Sequence, residues 1–236
     1  MKYKRILLKI SGEALAGENR FGIDHEVTER ICEAVKATYD LGVQIGIVIG
    51  AGNFWRGRDS VGIDRAKADQ MGMIATVMNS VAVGNILQEQ YGLEVRVMTA
   101  INMPQVAEPY IISRARRHLE KGRVIILAGG TGNPFFSTDS GAALRAAEIN
   151  ADIIFKATQV DGVYDKDPHK FEDAKKFDEI SFTTVLSEKL AVIDGTAASL
   201  CRDNNIPILV FNINDPLNIR RAAEGENIGT VIKEDI

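Results

Sequence analysis

The sequence predicts an α/β protein built on a largely parallel sheet with helices on both faces. Two observations carry that expectation. Short apolar, β-branched runs recur along the chain, and most are continuous rather than alternating, as strands covered on both faces must be. Between them lie amphipathic stretches with recognisable starts and stops, so strand and helix alternate. At 236 residues the chain is long enough to bury a substantial core, and it reads as one domain.

The elements follow in order. RILLKI (5–10) is the first strand. DHEVTERICEAVKATYDLG (24–42) is a helix with Asp24 as N-cap, Val27, Ile31, Val35 and Thr38 at helical spacing, and Gly42 as its stop. VQIGIVI (43–49) is the second strand, and residues 65–91 form a long second helix. EVRVMT (94–99), RVIILA (123–128), DIIFKA (152–157), PILVF (207–211) and GTVI (229–232) are further strands. Asp194 opens a helix at DGTAASLCRD, and NDPLNIRRAAEG offers Asp215 as N-cap with Pro216 at the first helical position.

Composition narrows the function classes. A net charge of −4, from 28 basic and 32 acidic residues well mixed along the chain, gives no electrostatic case for a nucleic-acid partner. The two cysteines, Cys32 and Cys201, stand alone in helical-looking segments, so neither a disulfide framework nor a zinc knuckle is read, and a reducing compartment is expected. No apolar run approaches a membrane span, and MKYKRILLKISGEA is too quickly charged for a secretory signal; a cytoplasmic protein with no membrane partner is expected.

Three strand ends run into small-residue loops. IVIGAGN (47–53) and IILAGGTGN (125–133) share an apolar strand leading into a G-x-G-N turn, and RILLKISGEA supplies a third. In open α/β sheets ligands sit beyond the carboxyl ends of the strands, where glycine lets backbone N–H groups approach an anion. One such loop is most simply a tight turn; three together point to a polyphosphate. No G-x-x-x-x-G-K-[ST] occurs, and neither G-x-G-N turn supplies the third glycine of a dinucleotide fingerprint. What remains is Lys9 at the end of the first strand, where burial demands an anionic partner, and Arg56 just after the Gly50–Asn53 turn.

KRILLKISGEAL, GAGNFWRG, DQMGMIATVMN, GTGNPFFSTDS and KATQVDGVYDKDP, in this order, resemble the bacterial uridylate kinases of the amino acid kinase superfamily. The resemblance runs from about Lys4 to about Ile232. It implies a single three-layer α/β/α sandwich over residues 1–236 around a mainly parallel, eight-stranded sheet. An acceptor-nucleotide half would cover about 1–150 and an ATP half about 151–236, with assembly as a homohexamer. It also implies ATP and Mg2+, UMP as acceptor, and direct in-line transfer of the γ-phosphoryl group in pyrimidine nucleotide biosynthesis. GTP would activate and UTP inhibit.

Residue roles are carried over on the same motifs. Lys9, Arg56 and Asp194 are implied to be catalytic. Lys9, Ile10, Ser11, Gly12, Gly52, Arg56, Thr158, Tyr164 and Asp167 are implied ATP contacts, with Lys156 as a further phosphate contact. Ala51, Asp69, Thr131, Gly132, Asn133, Pro134, Phe135, Phe136, Ser137 and Thr138 are implied UMP contacts, Asp69 through the ribose hydroxyls. Asp194 would orient Lys9 and the phosphates, and Gly17, Glu18, Asn19, Arg20, Phe21 and Gly22 correspond to the segment for GTP activation. No residue is assigned as a metal ligand.

Simpler readings stand beside these. Asp69 suits a first-turn helix acid, Asp194 an N-cap, Asp161, Asp165 and Asp167 turn formers, and residues 17–22 a surface loop. The chain departs from the family at GAGN, where GGGN is usual, so Ala51 must keep a negative φ, and at Ser137, where threonine is usual. A kinase for another small acid or nucleotide is the nearest rival, and a nucleotide-storage protein the next. Of Phe135 and Phe136, one is expected to anchor the loop in the core while the other covers the ligand or a neighbouring subunit.

Overall fold

The computed structural model describes residues 2–56, 61–166, 168, 170–190 and 192–234. Its strands are β1 (Arg5–Ile10), β2 (Gln44–Ile49), β3 (Val95–Thr99), β4 (Glu108–Pro109), β5 (Val124–Ala128), β6 (Ile153–Thr158), β7 (Val163–Tyr164), β8 (Lys176–Phe177), β9 (Glu179–Ser181), β10 (Ile208–Asn212) and β11 (Thr230–Lys233). The helices are α1 (His25–Tyr39), α2 (Arg65–Glu89), α3 (Ile112–Glu120), α4 (Thr138–Ile149), α5 (Phe182–Ser187), α6 (Gly195–Asp203) and α7 (Asn218–Glu224).

Among the described residues one sheet of nine strands runs in the order β4-β3-β5-β2-β1-β6-β10-β11-β9. All neighbours are parallel except the antiparallel pair β10 and β11, and β7 with β8 forms a separate antiparallel ribbon. Each of the seven runs read as strands is one. The sheet has nine strands rather than the eight implied by the resemblance: two short edge pieces, β4 and β9, join the seven runs, and segments of two or three residues leave no periodic signature.

Both faces of the sheet are covered, as its continuous apolar strands require. Ile6, Leu8 and Ile10 of β1 face a core shared with α1, α2 and α7, whereas Leu7 faces one shared with α3, α4, α5 and α6. This alternation is what places the next residue of the second face, Lys9, under α4.

Local signals are largely obeyed. Asp24 and Asp194 cap α1 and α6, accepting from Val27 N–H at 3.0 Å and Ala197 N–H at 2.9 Å. Asp215 is not the N-cap expected of it: α7 begins at Asn218 with Leu217 in the capping position. Asp215 instead accepts from Leu217 N–H at 3.2 Å, and its carbonyl accepts from Asn218 N–H at 3.1 Å, so Asp215-Pro216 forms a tight turn ahead of the helix. Asp69 is likewise not a first-turn acid, because α2 starts at Arg65, capped by Asp64. The 25-residue α2 is long and apolar enough to cross a membrane by length and composition, but half of its apolar window is buried, packed on β3 and β5, as in a core helix.

Candidate active site

The carboxyl ends of β1, β2, β5 and β6 deliver the predicted loops to one region. Parallel pairing sets Lys9 of β1 directly beside Lys156 of β6. Neighbouring strands lie about 4.8 Å apart, so two ammonium groups on one face repel unless an anion separates them. Asp139, in the first turn of α4, supplies it. Its Oδ1 is 3.0 Å from Lys9 Nζ, and its Oδ2 accepts a short bond from Lys156 Nζ. The three side chains are 10–18% exposed. Burial alone would raise the Asp139 carboxyl, but the two ammonium groups overrule it and hold it below its ordinary range. Burial, then the Lys9 charge, lowers Lys156, with Asp139 and Asp194 opposing.

The motifs of the sequence do not single out Asp139, and the resemblance implies for Lys156 only a further phosphate contact. A sequence signal exists: β1 ends Lys-Ile and runs into Ser11, and β6 ends Lys-Ala-Thr, the same lysine, apolar, hydroxyl order. Asp194, expected to orient Lys9, is bonded elsewhere among the described residues. Its Oδ1 accepts from Ser140 Oγ and caps α6, and its Oδ2 accepts from Ser137 Oγ in a short bond. Asp194 therefore braces the start of α4, one turn from Asp139. The N-cap reading of Asp194 holds, and the carboxylate also reaches the site.

The glycine loops approach each other closely. A Cβ on Gly12 would stand 2.6 Å from Gly50 O and from Gly52 N, so only glycine lets the first loop meet the second. Ile10 is fully buried, so only its backbone faces this region, and Ser11 precedes the short turn Gly12–Leu15. Ala51 lies outside the left-handed region, as its side chain requires. Asn53 and Asn79 of α2 exchange amide hydrogen bonds at 2.8 and 2.9 Å, and Asn79 also donates to Gly50 O at 2.8 Å, which fixes the turn from beneath. Arg56, at the solvent side, pairs with Glu13.

The 129–138 loop is held by α2. Thr76 Oγ1 accepts from Gly129 N–H at 2.9 Å, and Asp69 Oδ2 accepts from Phe135 N–H at 2.8 Å while pairing with Arg65 at 2.9 Å. Thr131 Oγ1 accepts from Asn133 N–H at 3.2 Å, Gly132 adopts φ +83 against Ala100, and Pro134 precedes the two rings. Ser137 caps α4 by accepting from Ser140 N–H at 3.1 Å, and Thr138 Oγ1 lies by Gly50. The expected division between the phenylalanines is not found: Phe135 is 67% and Phe136 49% exposed, so neither is a core anchor. The backbone bond to Asp69 does that work, and it holds Phe135 at φ +72, a region that costs a non-glycine residue energy.

On the other side, Thr158 ends β6 beside Asn212 of β10. Tyr164 donates to Asp161 at 2.7 Å, Lys176 to the same carboxylate at 3.2 Å, and Lys175 N–H to Asp165 at 2.8 Å, so Asp161 and Asp165 brace the β7–β8 ribbon. Asp167 lies outside the described residues. Gly17–Asn19 is a single short turn, Arg20 is left-handed, and exposed Phe21 stacks edge-on with Phe54 at 5.7 Å. Gly22 exchanges two hydrogen bonds with Asn53, at 3.0 and 2.8 Å, which ties the 17–22 segment to the GAGN turn. No three His, Cys, Asp or Glu side chains group to hold a metal ion among the described residues.

Comparison with known proteins agrees with this layout. A model of the amino acid kinase family matches residues 4–212. The structure is similar to a UMP kinase from Bacillus anthracis, at 41% identity and TM-score 0.96 over 99% of this chain and 97% of that one. It is similar to a UMP kinase from Ureaplasma parvum, at 37% identity and TM-score 0.93 over 99% and 100% of the two chains. A uridylate kinase from Archaeoglobus fulgidus matches at 26% identity and TM-score 0.73 over 96% and 99%.

Proposed function

The chain belongs to the amino acid kinase family, and we propose that it phosphorylates UMP to UDP with ATP. The observation that carries this reading is the Lys9, Asp139, Lys156 cluster at the strand ends where the Gly12 and Gly50–Gly52 loops meet and Thr138, at the end of the third loop, lies by Gly50. Phosphoryl transfer needs little covalent help from protein; it needs in-line positioning and positive charge where negative charge builds. Lys9 reaches toward the transferring group, with backbone N–H groups of Gly12, Ala51 and Gly52 on the phosphates and Arg56 closing over them, and no covalent enzyme intermediate forms. Asp139 pairs with both ammonium groups and holds them in place before substrate arrives. Asp194 holds the helix that carries Asp139.

Magnesium enters with ATP as part of that substrate; it shields the phosphates, and the lysines supply the remaining positive charge. The acceptor half, about 1–150, binds UMP through Asp69 and residues 131–138, and the remaining half binds ATP through Thr158, Tyr164 and Asp167. In pyrimidine nucleotide biosynthesis in the cytoplasm the product leads to UTP and CTP. GTP activation through residues 17–22 is favoured by their two bonds to Asn53, and inhibition by UTP fits a nucleotide able to occupy the acceptor loop. Assembly as a homohexamer is supported by the apolar stripe Met71, Ile74, Met78 and Val81, 40–50% exposed along α2 at the spacing of a helix–helix seam.

A coupled ADP-release assay with MgATP and a panel of acceptors tests the assignment. UMP is expected to turn over far faster than CMP, dCMP, AMP, carbamate or amino acids. Equal turnover of CMP overturns it.

A further inference from the structure

Arg145 of α4 is 5% exposed, the only arginine so deeply buried among the described residues. Its Nη1 donates to Glu148 Oε2 at 2.5 Å, its Nη2 donates to the Gly130 carbonyl at 2.9 Å, and its guanidinium carbon lies 4.0 Å from the Tyr110 ring centroid. Tyr110 donates its hydroxyl to the same Glu148 oxygen at 2.7 Å. A buried guanidinium is costly, and packing α4 onto α3 alone would be served better by an apolar side chain. What an apolar side chain lacks is the bond to Gly130.

Gly130 needs that bond. It follows Gly129, and the two adopt φ +57 and +77, where no Cβ limits the backbone. The Gly129 carbonyl accepts from Gly132 N–H at 2.9 Å and closes the turn, but such a bond is compatible with either orientation of the central Gly130–Thr131 peptide. Gly141, one turn before Arg145 on the same face of α4, approaches it directly: a Cβ on Gly141 would stand 3.3 Å from Gly130 Cα. Positions i and i+4 of one helix thus address a single residue, one by close approach and one by a charged hydrogen bond. Because a trans peptide is planar, holding the Gly130 carbonyl also sets the opposed Thr131 N–H, where the acceptor segment begins.

We propose that Arg145 is a positioning residue for the acceptor nucleotide: it sets the Gly130–Thr131 peptide, and through it the direction in which residues 131–138 enter the site. This rests on the reading of that loop as the acceptor site. Arg145 itself touches no substrate.

Steady-state kinetics of Arg145→Lys and of the double variant Arg145→Met/Glu148→Gln test it. The first keeps a charge for Glu148, so it preserves folding if loss of both charges does not. The KM for the acceptor is expected to rise about tenfold while the KM for ATP stays within about twofold. Millimolar guanidinium is expected to restore the acceptor KM of Arg145→Ala. An unchanged acceptor KM in a folded variant, or equal rises for acceptor and ATP, overturns the proposal. Wild-type turnover of an acceptor other than UMP would instead refute the functional reading, and the Arg145 comparison is then made with that acceptor.

Discussion

The Asp139 carboxylate lies 3.0 Å from the Lys9 ammonium, with Asp139 18% and Lys9 12% exposed. The same carboxylate also binds Lys156, the in-register partner of Lys9 on the adjacent strand. One anion therefore reconciles two cations that strand pairing forces together. Asp139→Asn leaves the pair uncompensated, a change that costs about 3–5 kcal/mol at buried ion pairs. A fall in thermal midpoint together with a kcat loss of at least ~100-fold is expected, read by calorimetry and ADP release.

The pH dependence of that loss has a definite sign. The folded-state value of Asp139 lies below its ordinary 3.8, so its stabilisation is fully present above that value and disappears as pH falls through the depressed one. The gap in thermal midpoint between wild type and Asp139→Asn is expected to narrow below about pH 4, as the wild-type carboxyl takes up its proton. A gap that widens on acidification contradicts the ion-pair account.

Lys9→Met retains the Asp139–Lys156 pair, so the fold is expected to survive. Turnover falls by about 10²–10³ while nucleotide binding persists, because the lost charge acts mainly on the transition state. Near-normal kcat would remove Lys9 from catalysis.

Asp69 already accepts the Phe135 N–H at 2.8 Å, so a ribose bound there as proposed would share this carboxylate with the loop. Asp69→Asn is expected to raise the KM for UMP and leave that for ATP unchanged. An effect confined to ATP contradicts the acceptor role.

Burial pushes the Cys32 and Cys201 thiols up to about 12, aided by Glu29 for Cys32 and by Asp139 and Asp194 for Cys201. Neither is expected to react with iodoacetamide at pH 8 until the protein unfolds. Mass spectrometry of native and denatured protein checks this.

Met78→Glu places a charge in the middle of the exposed apolar stripe of α2. It is expected to reduce the mass of the proposed assembly in light scattering without lowering helix content. An unchanged mass excludes α2 as a subunit contact.

Long elements and their caps were legible because hydrophobic runs and capping side chains are local physics. Asp24 and Asp194 cap as expected, and all seven strands form. Local rules failed where a nearby turn competed, as at Asp215, and where a loop had a tertiary tether, as at Phe135. The two adjacent rings suggested an anchor, yet the anchor is a backbone N–H on a carboxylate 66 positions away.

The sequence by itself determined the strand and helix alternation, the glycines at the strand ends, and a lysine that burial would not tolerate alone. Only the tertiary structure decided what that lysine meets. Parallel pairing brings position 156 beside position 9, the alternation of side chains turns both to one face, and the packing of α4 there supplies Asp139. Charges so far apart in the chain carry no mutual signal in their spacing, because their interaction exists only once the sheet order is set.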